Sequence, residues 1–184
     1  MATDIAASKS ESALAGGQFS TFFVGDLFFG VDVLRVQEVL CFQHMTRVPQ
    51  APEVIEGLIN LRGQIVPAID MRRRLGLPPR AGEQTPMNMV VRTEDGAISL
   101  LVDEIGDVMD ADPVTYERPP ENLLPAAREL IRGIYKLKDR LLLVLDTDRT
   151  VDLTIGGQLS AGTVSGMTRQ SIPASVDALD ARQS

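Results

Sequence analysis

The chain has 184 residues, 44% of them hydrophobic and 23% charged, which is enough for one or two domains around a sizeable core. A formal charge of −7 sets up a field that repels phosphate backbones and argues against electrostatically driven nucleic-acid binding. The single cysteine, Cys41, excludes an internal disulfide; with Val39, Leu40 and Phe42 around it, it reads as a buried packing residue.

In chain order, residues 1–17 lack the basic start and continuous apolar stretch of a secretory signal. No apolar run anywhere approaches the roughly 18 residues of a membrane span, so a cytosolic protein without direct membrane insertion is expected. Residues 1–17 and 154–184 are rich in Ala, Ser, Gly, Thr and Gln, a composition that does not offset its own ordering entropy, and both are predicted to be mobile tails. Between them, over residues 18–153, the pattern is mainly strand. FSTFFVGDLFFGVDV (19–33) sets two β-rich runs around Gly25-Asp26, and MNMVVRTEDGAISLLVD (87–103) does the same around Asp95-Gly96. Short strands separated by Pro-containing connections point to a sandwich or small barrels.

An internal repeat organises the middle of the chain. EVIEGLINLRGQIVPAIDMRRRL (53–75) aligns without gaps to ELIRGIYKLKDRLLLVLDTDRTV (129–151), with Gly57/Gly133, Leu61/Leu137, Asp70/Asp146 and Arg73/Arg149 among the identical pairs. Each copy follows one of the two hairpins, so the chain reads as one structural unit used twice. Asp70 and Asp146, at the ends of strands, are placed to cap a short helical turn, a reading preferred to a catalytic carboxylate pair. Asn60, Arg62, Gly63 and Pro67 in the first copy become Lys136, Lys138, Asp139 and Leu143 in the second. These differences mark what the first copy does separately.

The remaining chemistry is sparse. His44 is the only histidine and lies in an irregular connection, no Cys/His spacing supports a metal site, and the glycines of 154–166 form no phosphate-binding loop. No cofactor is expected, and an enzyme is the weaker rival. Arg72-Arg73-Arg74 reads as a solvated helical turn, with a docking patch as the alternative, and residues 107–121 read as a polar, Pro-rich excursion between strands.

At VDVLRVQEV, GLINLRGQIVPAIDMR and LLVDEIGDVMD the sequence resembles the CheW family, the coupling proteins of bacterial chemotaxis arrays; the likeness covers roughly residues 18–153. The resemblance implies a mainly β fold of two similar, interleaved SH3-like barrels in one CheW-like domain. It also implies a non-catalytic adaptor between methyl-accepting chemoreceptor tips and the regulatory domain of the histidine kinase CheA. Such an adaptor would be cytoplasmic, a monomer in isolation, and recruited to membrane-bound receptor arrays. The family's receptor groove matches Val36, Glu38, Val39, Leu58, Arg62, Met87 and Asn88, and its kinase contacts match Glu121, Asn122 and Leu123. At that last site Asn122 stands where an apolar residue is common, leaving the apolar anchor open between Asn122 and Leu123. CheW-like domains also occur within larger signalling proteins and in non-chemotaxis chemosensory systems, and the sequence does not exclude the latter. Glu38 and Arg62, opposite charges on otherwise apolar segments, are expected to form a partly shielded ion pair at the groove's rim, with Gly63 permitting the turn that presents Arg62. The bland alternative lays Arg62 along the barrel surface.

Overall fold

Turn chemistry sets the strands. The structure, a computed structural model, describes residues 17–152. β1 (Gly17–Val24) and β2 (Leu27–Asp32) form an antiparallel hairpin. A 3-10 turn at Val33–Arg35 follows, where the Asp32 carboxylate accepts the Leu34 N–H at 2.9 Å, and leads into β3 (Val36–Leu40). The second hairpin is β6 (Met87–Thr93) with β7 (Gly96–Val102); β8 (Glu104–Ala111), a 3-10 turn at Pro113–Thr115 and the two-residue β9 (Tyr116–Glu117) come next.

The two repeat copies adopt the same local structure. The first is β4 (Ile55–Leu61), β5 (Gln64–Asp70) and the one-turn helix α1 (Met71–Arg74); the second is β10 (Ile131–Lys136), β11 (Leu141–Leu145) and α3 (Thr147–Val151), preceded by α2 (Pro125–Leu130). Asp70 accepts from the Arg72 and Arg73 amides, and Asp146 from those of Asp148 and Arg149, so both aspartates cap their helices. Both hairpins shift register at the same place, between Ile55 and Gly57 and between Ile131 and Gly133. The shared glycines have one cause. A Cβ on Gly57 would press on the Thr46 backbone and one on Gly133 would collide with the Tyr116 ring, so each lets a crossing segment approach.

The sheets pair these pieces in an exchanged way. One runs β8-β1-β2-β11-β10-β9 and the other β3-β6-β7-β5-β4, with β2–β11 and β5–β7 parallel. Each hairpin therefore joins the other repeat copy, not the one that follows it. The sequence reading of one unit used twice needs that correction. The cause is the pair of crossovers: after Asp32 the chain leaves the first sheet to place β3 on β6, and at Asp103 it leaves the second to place β8 on β1.

Strand alternation feeds separate cores. Phe22, Val24, Phe29 and Val31 from one sheet meet Met89, Val91, Leu100 and Val102 from the other in the main buried cluster. On the opposite face of the six-stranded sheet, Phe19, Ala111, Tyr135, Leu142 and Val144 form a second cluster, with Tyr135 between the rings of Phe19 and Tyr116. Burial on both faces requires rolled sheets. In the five-stranded sheet the roll brings its outer strands together: Thr46 and Leu58 exchange two 2.9 Å backbone hydrogen bonds, and Arg62 reaches Glu38. The fold is thus two small β-barrels.

Ion networks pin both crossovers. Asp103 lies 2.8 Å from Arg72 and 2.9 Å from Arg80, takes the Gly25 N–H at 2.6 Å, and Arg80 continues to Asp70 at 2.9 Å. At the other crossover Arg35 meets Asp148 at 2.8 Å, while Asp148 accepts the Glu94 N–H at 2.8 Å. The helix residue and the crossover residue have exchanged charge between the two sites.

Several sequence expectations change here. Of the three arginines read as a solvated turn, Arg72 is in the Asp103 network and Arg74 is buried, donating to carbonyls at the end of α3, including Asp152 at 3.1 Å. Burial lowers the Arg74 pKa from its ordinary value. The 107–121 excursion contains most of β8 and all of β9. Cys41 is exposed, in the bend that follows β3. Gly17, grouped with the tail, opens β1; the expectations for 1–16 and 154–184 lie outside the described residues.

Candidate functional site

The turn between β4 and β5 has two residues, Arg62 and Gly63, with φ of 52° and 85°. Two left-handed residues match the twist of a tight hairpin, which suits glycine and costs arginine about 1 kcal/mol. Asn60 offsets part of that cost, since its side-chain oxygen accepts the Gly63 N–H at 2.9 Å. Asn60 therefore faces outward, with Gly57 and Ile59 facing in. Pro67 sits opposite Leu58, whose own N–H and C=O bond to Thr46, so the missing proline N–H removes nothing from the β4–β5 ladder.

The turn aims Arg62 at β3. Its Nη2 lies 3.2 Å from Glu38 Oε2, with the arginine side chain 86% exposed and the glutamate 26%. The pair forms as expected, but only its acidic half is shielded. At such a wet site it contributes at most about 1 kcal/mol to folding. Val36 packs against the main core from β3, Val39 is exposed beside Glu38, and Met87 packs on the core at the start of β6. Leu58 is half-buried on the opposing edge strand. Asn88 does not join them. It is fully buried, donates to Ser99 Oγ at 2.9 Å, and cannot meet a partner from that position, which corrects its assignment to the groove. Phe42 and Ile65, both exposed in this region, were missed by sequence reasoning. For Ile65 the signal was strand alternation, which turns it outward opposite Asn60.

The second candidate surface is the turn before α2. Glu121 and Asn122 are exposed, and the Leu123 N–H closes the turn on the Pro120 carbonyl at 3.3 Å. Leu123 packs against the main core, whereas Leu124, at the helix start, is exposed. Leu124, which the sequence reading did not weigh, is the more exposed apolar group there, Leu123 being partly buried.

Electrostatics around these surfaces is structural. Burial pushes the Asp103 carboxyl up, but the Arg72 hydrogen bonds, the Gly25 amide and the charges of Arg72 and Arg80 outweigh it and hold the group below the ordinary carboxylate range. Asp146 behaves alike: burial raises it, and Arg132, the Arg149 amide and the charge of Arg149 hold it down. Among the described residues no group of three or more His, Cys, Asp or Glu side chains could hold a metal ion.

Two joined barrels with exposed aliphatic and charged groups on their edges define a protein-interaction module. A family model for the CheW-like domain matches residues 18–154, and the chain belongs to this family. It is 31% identical over 137 residues to the chemotaxis protein CheW of Bacillus subtilis, covering 74% of this chain and 88% of that protein. To the chemotaxis protein CheW of Klebsiella aerogenes it is 29% identical over 142 residues, 77% of this chain and 86% of the relative. The scaffolding protein TtCheW from Thermoanaerobacter tengcongensis superposes with a TM-score of 0.68 at 28% identity, covering 75% of this chain and 94% of that structure.

Proposed function

We propose that this chain is a chemotaxis adaptor that couples the cytoplasmic tips of chemoreceptors to the histidine kinase CheA. The observation that carries the reading is the family match across 18–154, nearly all of the described chain. A non-catalytic scaffold fits that family. An adaptor must hold two partners on surfaces that do not overlap, and the first candidate surface lies on the five-stranded sheet whereas the second lies in the connection between β9 and α2. For receptor tips we assign Val36, Glu38, Val39, Leu58, Arg62 and Met87. For the kinase's regulatory domain we assign Glu121 and Asn122, with Leu124 as apolar anchor. Among the described residues no helix is long and apolar enough to cross a membrane, so array localisation would come from these contacts. Affinity capture with tagged full-length chain from its host, read by mass spectrometry, tests the assignment. Receptors and CheA should be captured together; recovery of neither contradicts it.

A further inference from the structure

The second barrel repeats the chemistry of the candidate receptor surface. In one sheet Val36 pairs with Val91, the register shifts, and Glu38 and Val39 follow opposite Val90 and Met89. In the other, Ile105 pairs with Phe22, the register shifts at the same point, and Val108 follows opposite Ser20. Overlaying the two registers puts Asp107 in the place of Glu38 and Val108 in that of Val39. The gapless repeat puts Lys138 in the place of Arg62 and Leu141 in that of Ile65.

Residue type agrees at all four positions and exposure at three, Asp107 being more exposed than Glu38. Val39 and Val108 are 39% and 55% exposed, Ile65 and Leu141 51% and 38%, and the acid and the base keep their signs. One difference favours binding at the second barrel. Glu38 is engaged by Arg62, whereas among the described residues neither the Asp107 carboxylate nor Lys138 has an ion partner. Lys138 also lines a cleft of about 420 Å³, with Met109 and Leu137 as its apolar part and Asp110, Asp112, Lys136, Asp139 and Arg140 as the rest of its charged part.

We propose that Asp107, Val108, Lys138 and Leu141 form a second docking surface for the same kind of partner, an amphipathic helix with an aliphatic stripe flanked by a base and an acid. The base of that helix would meet Asp107, its acid Lys138, and its aliphatic stripe Val108 and Leu141. This rests on the receptor reading of the first surface, and it makes the adaptor bivalent for receptor helices. The test is titration calorimetry of full-length chain with a purified cytoplasmic helical-hairpin fragment of a chemoreceptor. Two binding events per chain are expected. Arg62→Glu should leave one, Val108→Arg with Lys138→Glu should leave the other, and the combination should leave none. Lys138→Glu alone, at an exposed position, should weaken the second event about tenfold and serves if the double variant fails to fold. A single event abolished by Arg62→Glu and untouched by the second-barrel changes overturns this proposal while keeping the receptor reading. No event at all overturns both. Loss of CheA regulatory-domain binding on the second-barrel changes, with receptor binding intact, would assign the face to the kinase and also overturn it.

Discussion

Replacing Asp103 by Ala tests the crossover network most severely. Its side chain is only 8% exposed and contacts Arg72, Arg80 and the Gly25 amide. Removing one member of a buried ion network typically costs about 3 to 5 kcal/mol, because the opposite charge is left without compensation. Arg80 retains Asp70 at 2.9 Å, and Arg72 retains the Pro78 carbonyl at 2.8 Å, which places the loss at the low end, about 3 kcal/mol. Against a typical stability of about 5 to 15 kcal/mol, that is a large fraction. Urea unfolding should therefore show a clearly lower midpoint with an unchanged slope. The pH dependence has a definite sign. A carboxyl held below its unfolded value of about 3.9 stabilises the fold at higher pH and loses that contribution as pH falls through its lower folded value. Wild-type stability should fall steeply from about pH 4 downward, and Asp103→Asn should flatten that acid limb, leaving the part due to Asp146. A loss below about 0.5 kcal/mol for Asp103→Ala, or an unchanged acid limb, would refute the pinning argument.

The Glu38–Arg62 pair should show folding coupling of at most about 1 kcal/mol in a double-mutant cycle, since Arg62 is wet, and a larger coupling in receptor binding; zero coupling in both assays would return Arg62 to a surface role. Leu124→Arg should weaken CheA capture without moving the unfolding midpoint, while Leu123→Ala should cost about 1 to 2 kcal/mol because Leu123 packs on the core; the reverse pattern in paired pull-down and unfolding assays would reassign the anchor. Native protein should react with a thiol reagent at Cys41 at nearly the rate of a free thiol, and protection until unfolding would contradict its exposure.

Much of this architecture could be read from local chemistry. The hairpins around Gly25-Asp26 and Asp95-Gly96, the repeat, and the caps at Asp70 and Asp146 are short-range features in which alternation and turn residues agree. What escaped was long-range. Nothing local says that β2 lies parallel to β11, so the exchange of hairpins between repeat copies was invisible. Cys41 looked buried because its neighbours are apolar, yet it falls in the bend after β3, where strand alternation no longer applies. Arg72 and Arg74 looked solvated because their partners, Asp103 and the carbonyls at the end of α3, are far away in sequence. At the candidate receptor surface the pairing of Glu38 with Arg62 was legible as a charge match, but its wetness was not, since exposure depends on how the turn is held. Asn88 was misplaced for the converse reason: its partner Ser99 lies on the neighbouring strand, which takes the amide out of reach of any partner.

The central claim is that one chain holds a receptor tip and CheA at the same time. Analytical size-exclusion chromatography with light scattering, on full-length chain mixed with a chemoreceptor hairpin fragment and the CheA regulatory domain, measures it directly. A ternary complex containing all three is predicted, with Arg62→Glu lowering the amount of receptor fragment bound per chain while the kinase domain stays, and Leu124→Arg losing only the kinase domain. Mutually exclusive binary complexes, or loss of both partners from either folded variant, would contradict the account.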